Sequence, residues 1–173
     1  MMPPGHIAIT WAAAKLLTKQ SLDYRRLAFS AMLPDLVDKP LALWVFTQSH
    51  SSQNLTHALL PNLLLLGIAV WKWPRALPYV LAFNGHLLAD RMWRKTETFW
   101  WPLFGGQTFS SYRFMNTPQA MTQVYLDILR RYPHVWAIEL LAGLYLGWFI
   151  KKHRLANRAN LLAFLQTGQL SED

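Results

Sequence analysis

The chain alternates long apolar runs with short polar or proline-bearing breaks, and each run is long enough for a helix. Residues 7–17 are apolar and alanine-rich. Ser21 can cap a second helix over 22–33, which Pro34 ends because the residue before a proline is steered out of the helical region. Pro40 suits the first position of a short helix through Phe46. The polar stretch 48–54 reads as a loop. A strongly apolar segment over 56–73 stops at Pro74, and a second apolar helix follows over 77–90. Residues 93–116 break the helical pattern with an aromatic loop, whose Pro102 and Gly105–Gly106 do not suit a regular helix. Thr117 and Pro118 make a cap and first position for a helix to Arg131, and Pro133 opens the next one, through Ile150. A last amphipathic helix over 155–165 precedes a polar tail. The pattern predicts an all-α, multi-helix bundle in one domain over 1–173, with its apolar C-terminal helices within 117–167.

Composition turns this helical reading toward a membrane. Hydrophobic residues make up 53% of the chain and charged ones 15%, against roughly 25% charged in an ordinary soluble domain. The net charge is +8, which favours phosphate-bearing partners such as anionic lipid or nucleic acid. Nine tryptophans beside apolar runs favour lipid, because Trp concentrates at membrane interfaces. Nucleic acid is the weaker alternative. The runs at 59–71 and 135–150 fall short of the roughly 20 apolar residues that span a bilayer, so buried core helices of a soluble bundle stay open. The basic cluster after Ile150 suits a cytoplasmic flank. The expected location is the cell inner membrane, integral or tightly associated. No cysteine is present, which excludes disulfides and thiolate metal sites.

Within the apolar runs stand residues of the metal-binding type: His6, Asp35 with Asp38, His57, and His86 with Asp90. Imidazole and carboxylate bind zinc and related divalent ions in hydrolytic sites. His86 and Asp90 are four apart, which on a helix puts both on one face. A carboxylate in an apolar helix is costly without a partner, and a metal shared with the histidine removes that cost. The other residues each fit a blander role. His6 suits a helix start, Asp35 a turn, Asp38 a cap for the helix at Pro40, and His57 a satisfied core histidine. Arg91, Arg94 and Lys95 suit either a substrate phosphate or a solvated helix end, and His50 is a loop residue with some chance of touching the site. The aromatic residues Trp93, Phe99, Trp100, Trp101, Phe104 and Phe109 read as an interface belt or as one wall of a lipid-accepting cleft.

The series Gly5-His6, Leu33-Pro34-Asp35 with Asp38, Thr56-His57, 85–90 and Trp101-Pro102-Leu103-Phe104 resembles, in that order, small membrane-bound metal-dependent hydrolases of the domain-of-unknown-function 457 type. The resemblance covers residues 5 to 105, and the last third matches only as generic apolar helix. More distantly the series is similar to the helical zinc-dependent phospholipase C and S1/P1 nuclease fold. That similarity implies a first ion held by Asp35, His57, His86 and Asp90, and a second shared by His6 and a bridging Asp90. The third zinc of those enzymes has no counterpart, because His134, Glu139 and His153 are spaced differently; their N-terminal Trp amine ligand also has none, since Met1-Met2-Pro3-Pro4 precedes His6. One or two divalent ions, zinc first among them, are therefore implied. The chemistry implied is hydrolysis of a phosphoester, with phospholipid among the candidate substrates. Asp35 would serve as ligand and general base, and Asp38 as the catalytic carboxylate that orients a ligand histidine. The alternative is a non-catalytic membrane protein whose His/Asp set is a structural metal site or a buried polar network. An open coordination position separates the two.

Overall fold

The computed structural model describes residues 1–18, 20–46, 51–103 and 117–170. The described residues are all-helical, as the pattern predicts: α1 (Pro3–Leu17), α2 (Tyr24–Trp44), α3 (Leu59–Lys72), α4 (Leu77–Ala89), α5 (Thr96–Phe99), α6 (Pro118–Arg131), α7 (Pro133–Lys152) and α8 (Arg158–Thr167). Short 3-10 turns at Leu55–His57, Pro74–Ala76 and Met92–Arg94 join them. His50 and most of the aromatic loop, including Phe104 and Phe109, lie outside the described residues.

The largest departure from the sequence pattern is α2. Pro34 does not end a helix and Pro40 does not begin one; both sit inside a single 21-residue helix. Its cap is Asp23, whose carboxylate accepts the Arg25 and Arg26 amides, and Ser21 lies outside it. Each interior proline removes one helical hydrogen bond, at a cost of ~3 kcal/mol in an isolated helix. Tertiary bonds offset the loss here. Thr56 Oγ1 donates to the Pro34 carbonyl at 2.9 Å, and Asp38 accepts both the Asn54 and the Thr56 amides. Asp38 is thus a mid-helix, fully buried residue and does not cap a helix at Pro40.

α2 packs against α1 and α4, α1 also against α7, and α3 against α4. The contacts fix how these helices run. His6 near the start of α1 meets His86 and Asp90 at the end of α4. At the other end, Lys15 of α1 meets His153 after α7, and the amide of Asp23, before α2, donates to Tyr79 at the start of α4. One end of the bundle therefore collects polar residues. The opposite end is an aromatic cluster of Trp11, Tyr24, Phe149 and Phe164.

α3 and α7 both present large apolar side chains outward. α3 buries Asn62 and Ala69, while Leu60, Leu63, Leu64, Ile68 and Val70 are exposed. α7 buries Ala142 and Phe149 and exposes Leu140, Leu141 and Leu144. Of the described helices, α7 alone is long and apolar enough to cross a membrane. Its single acid, Glu139, does not face outward. The carboxylate accepts the Met2 amide at 2.7 Å and the Gly5 amide at 3.0 Å, two first-turn donors of α1 that have no partner within their own helix. Gly5 permits this approach, since a Cβ there would lie 2.8 Å from Glu139 Oε1 and 2.5 Å from Met1 Cγ.

Candidate metal centre

Four segments bring the candidate ligands together: the start of α1 (His6), the middle of α2 (Asp35, Asp38), the 3-10 turn before α3 (His57) and the end of α4 (His86, Asp90). Each histidine is almost wholly buried. Two have their tautomer set by the partner of Nδ1. His86 Nδ1 lies 2.7 Å from the Ala31 carbonyl, which can only accept, so this nitrogen carries the proton. His57 Nδ1 lies 2.7 Å from Asp38 Oδ2 and donates to that carboxylate in the same way. In both rings Nε2 is the nitrogen turned toward the cluster. Nε2 of His6, His57 and His86 are all buried without a hydrogen-bond partner.

Those three nitrogens face two carboxylates. Asp35 Oδ1 lies 3.7 Å from Nε2 of both His57 and His86. Asp90 Oδ2 lies 3.7 Å from His86 Nε2, and Asp90 Oδ1 is 3.2 Å from His6 Nε2, close but outside hydrogen-bond alignment. The His6 and His86 rings stack at 3.9 Å, with His57 edge-on to His86 at 5.0 Å. Two sets of three side chains could each hold an ion, Asp35/His57/His86 and His6/His86/Asp90. His86 belongs to both. Zinc bonds of ~2.0 to 2.2 Å in a tetrahedral site place neighbouring ligand atoms ~3.3 to 3.6 Å apart, close to the spacing here. Unpartnered, buried imidazole nitrogens beside ionised carboxylates fit a divalent cation and leave a purely hydrogen-bonded network incomplete.

Asp38 stands behind this cluster. Oδ1 accepts the Thr56 amide and Oδ2 accepts the Asn54 amide and the His57 ring, so neither oxygen is free for an ion. Asn62 donates to the Thr56 and Ala58 carbonyls at 2.8 Å each, fixing the turn that carries His57.

Three further side chains hold the carboxylates from outside, directly or through a neighbour, and only Lys95 among them is singled out by the sequence, for a different role. Lys39 Nζ binds Asp35 Oδ2 at 2.7 Å, leaving Oδ1 toward the imidazoles. Gln53 donates to Asp90 Oδ2 at 2.7 Å, and Lys95 in turn donates to Gln53. The Met1 amine lies 2.6 Å from Asp90 Oδ1. Lys39 was legible as an i,i+4 partner of Asp35 once α2 is continuous. Lys95 was legible only as a base after Asp90 suited to a phosphate or a helix end, and Gln53 carries no local signal.

The charges follow from this packing. Burial alone would raise the Asp35 carboxyl, but Lys39 and the two histidines outweigh it and hold it below its usual value. Burial likewise opposes ionisation of Asp90, and His6 and the Met1 amine override it. His86 is pushed down to about 4, first by burial and then by His6, so it is neutral at pH 7.

A cleft of about 570 Å³ opens over the cluster, with Asp35 and Asp90 on its floor. Arg94 and Lys95 stand on one side, and Val124 and Ile128 of α6 form an apolar wall. Arg91 is exposed and does not line the cleft. His134 is exposed and His153 sits by Lys15 at the far end of the bundle, so neither joins the cluster. No family model matches the chain, and no curated protein or solved structure matches it.

Proposed function

We propose that this protein is a membrane-associated, metal-dependent hydrolase of phosphoesters, with one or two divalent ions, zinc first, held by His6, Asp35, His57, His86 and Asp90. The observation that carries the reading is the convergence of three buried, unpartnered Nε2 atoms with two carboxylates on the floor of an open cleft. A zinc-class ion supplies Lewis acidity there and brings the pKa of water bound to it to about 7. The protein's own side chains do the rest. Asp38 and the Ala31 carbonyl hold the His57 and His86 rings by Nδ1, with Nε2 forward. Asp35, ionised and facing the cleft, is placed to accept a proton from water. Arg94 and Lys95 offer positive charge to a phosphoryl oxygen from the same cleft. Membrane association is supported by the exposed leucines of α3 and α7.

The test pairs metal content with turnover. Purified wild type should hold zinc and hydrolyse a nitrophenyl phosphodiester; His86→Ala should lose both. Asp35→Asn should lose turnover more steeply than metal. Zinc retained by wild type with no hydrolysis of mono- or diesters would instead support a structural metal site.

A further inference from the structure

The charged residues of this bundle are sorted by end. α7 runs from Pro133, beside Val135 in the wall of the metal cleft, to Lys151 and Lys152, a rise of ~30 Å for a helix of 20 residues, about the thickness of a bilayer's hydrocarbon core. At the far end from the cleft, Lys15 closes α1, Arg25 and Arg26 open α2, and Lys72 and Arg75 flank the turn between α3 and α4. Lys151, Lys152, Arg154 and Arg158 stand there too, between α7 and α8. Among the described residues these nine bases meet one acid, Asp23, which is already paired with Arg25. Among the described residues, the cleft end carries six bases and six acids. Lys15 and Lys152 both lie over the exposed Trp148 ring, at 5.6 and 5.1 Å, and Trp71 and Trp73 are exposed at the same end. Amphipathic indoles beside clustered ammonium groups form the kind of surface that meets anionic lipid headgroups.

We infer that the basic end is the face that meets the anionic cytoplasmic leaflet, and that the metal cleft opens at the opposite, non-cytoplasmic interface. The inference rests on the membrane reading above and is independent of the metal. Positive residues flanking membrane helices are retained on the cytoplasmic side, and the asymmetry here appears in every connection at that end, between α1 and α2, α3 and α4, and α7 and α8. The exposed leucines of α3 and α7 lie between the two ends and meet the hydrocarbon. Any substrate therefore approaches the cleft from outside the cytoplasm, or from the outer leaflet beside α7.

The chain has no cysteine, so single cysteines report orientation without background. Gln123→Cys and Thr122→Cys lie exposed on α6 at the cleft end; Arg75→Cys and Ala156→Cys lie exposed at the basic end. In spheroplasts, a membrane-impermeant maleimide should label the first pair, and should label the second pair only after permeabilisation. The reverse pattern, labelling of all four before permeabilisation, or of none until after it, overturns the inference. So does recovery of the protein in the soluble fraction without detergent, which also removes the membrane reading. Zinc content of the same membranes decides the hydrolase reading separately, because a correctly oriented but metal-free protein would refute the hydrolase alone.

Discussion

The two ends of this bundle are held together by opposite means. At the cleft end the interior is imidazole, carboxylate and amide, joined by directional bonds of 2.6 to 2.8 Å. At the basic end it is Trp11, Tyr24, Phe149 and Phe164, in ring contacts with centroids 4.6 to 6.2 Å apart. α1 belongs to both, with His6 in one and Trp11 in the other. Aromatic packing is tolerant in direction and strong in sum. The polar cluster is exacting in direction and leaves three buried ring nitrogens without a hydrogen-bond partner, in a geometry that could hold an ion. One end stabilises the fold, while the other stores binding capacity.

Several substitutions can break that division. The largest effect should come from His86→Ala, since His86 belongs to both ligand sets. Bound zinc, measured by elemental analysis of the purified protein, should fall to background. Phe149→Ala removes a fully buried ring from the aromatic end and should cost ~3–5 kcal/mol of stability while leaving the zinc content of the folded fraction unchanged. Thermal unfolding and metal analysis on one sample test both halves, and loss of zinc in this variant would erase the contrast. Asp38→Asn should weaken zinc affinity ~10- to 100-fold without emptying the site, because it loosens His57 and leaves all the ligands in place. Competition with a chromogenic chelator reads that difference. If affinity is untouched, Asp38 serves α2 alone.

Asp23→Ala should have the smallest effect, ~0.5–2 kcal/mol, as expected for loss of a helix N-cap. The Arg25 side chain, with the Arg25 and Arg26 amides, holds the Asp23 carboxyl below its usual value in spite of burial. Its contribution should therefore be complete above the unfolded value near 4 and disappear as pH falls through the lower folded value. Denaturant midpoints of wild type and variant should converge in acid and separate above pH 5.

His86 and Asp90 were legible in the sequence because their spacing matches one helical turn inside an otherwise apolar run. The rest of the site was hidden by two prolines. Ending a helix at Pro34 and restarting it at Pro40 separates Asp35, Asp38 and Lys39, which in fact share one continuous helix. Local propensity favours the break; the bonds from Thr56, Asn54 and His57 that overrule it come from residues about twenty positions away. Glu139 misled in another way. As a charge inside an apolar run it weakens the case for a membrane helix, yet its carboxylate is turned inward onto α1. The inverted α3, with Asn62 inside and leucines outside, cannot be told from a core helix by its apolar content alone, since only its neighbours define inside.

Glu139 has a mechanical consequence. A smooth apolar helix against lipid is free to spin and slide, because one leucine is much like the next. α7 carries a single tooth, and that tooth engages the Met2 amide at the cap of α1 and the Gly5 amide next to His6. Each residue along a helix turns by about 100°, so even a one-residue slip would swing the carboxylate out of its socket toward hydrocarbon, where an unpaired charge is expensive. On the membrane reading proposed above, the bilayer itself would enforce the gear. A tilt of α7 would then carry α1 along, and the candidate ligand His6 with it.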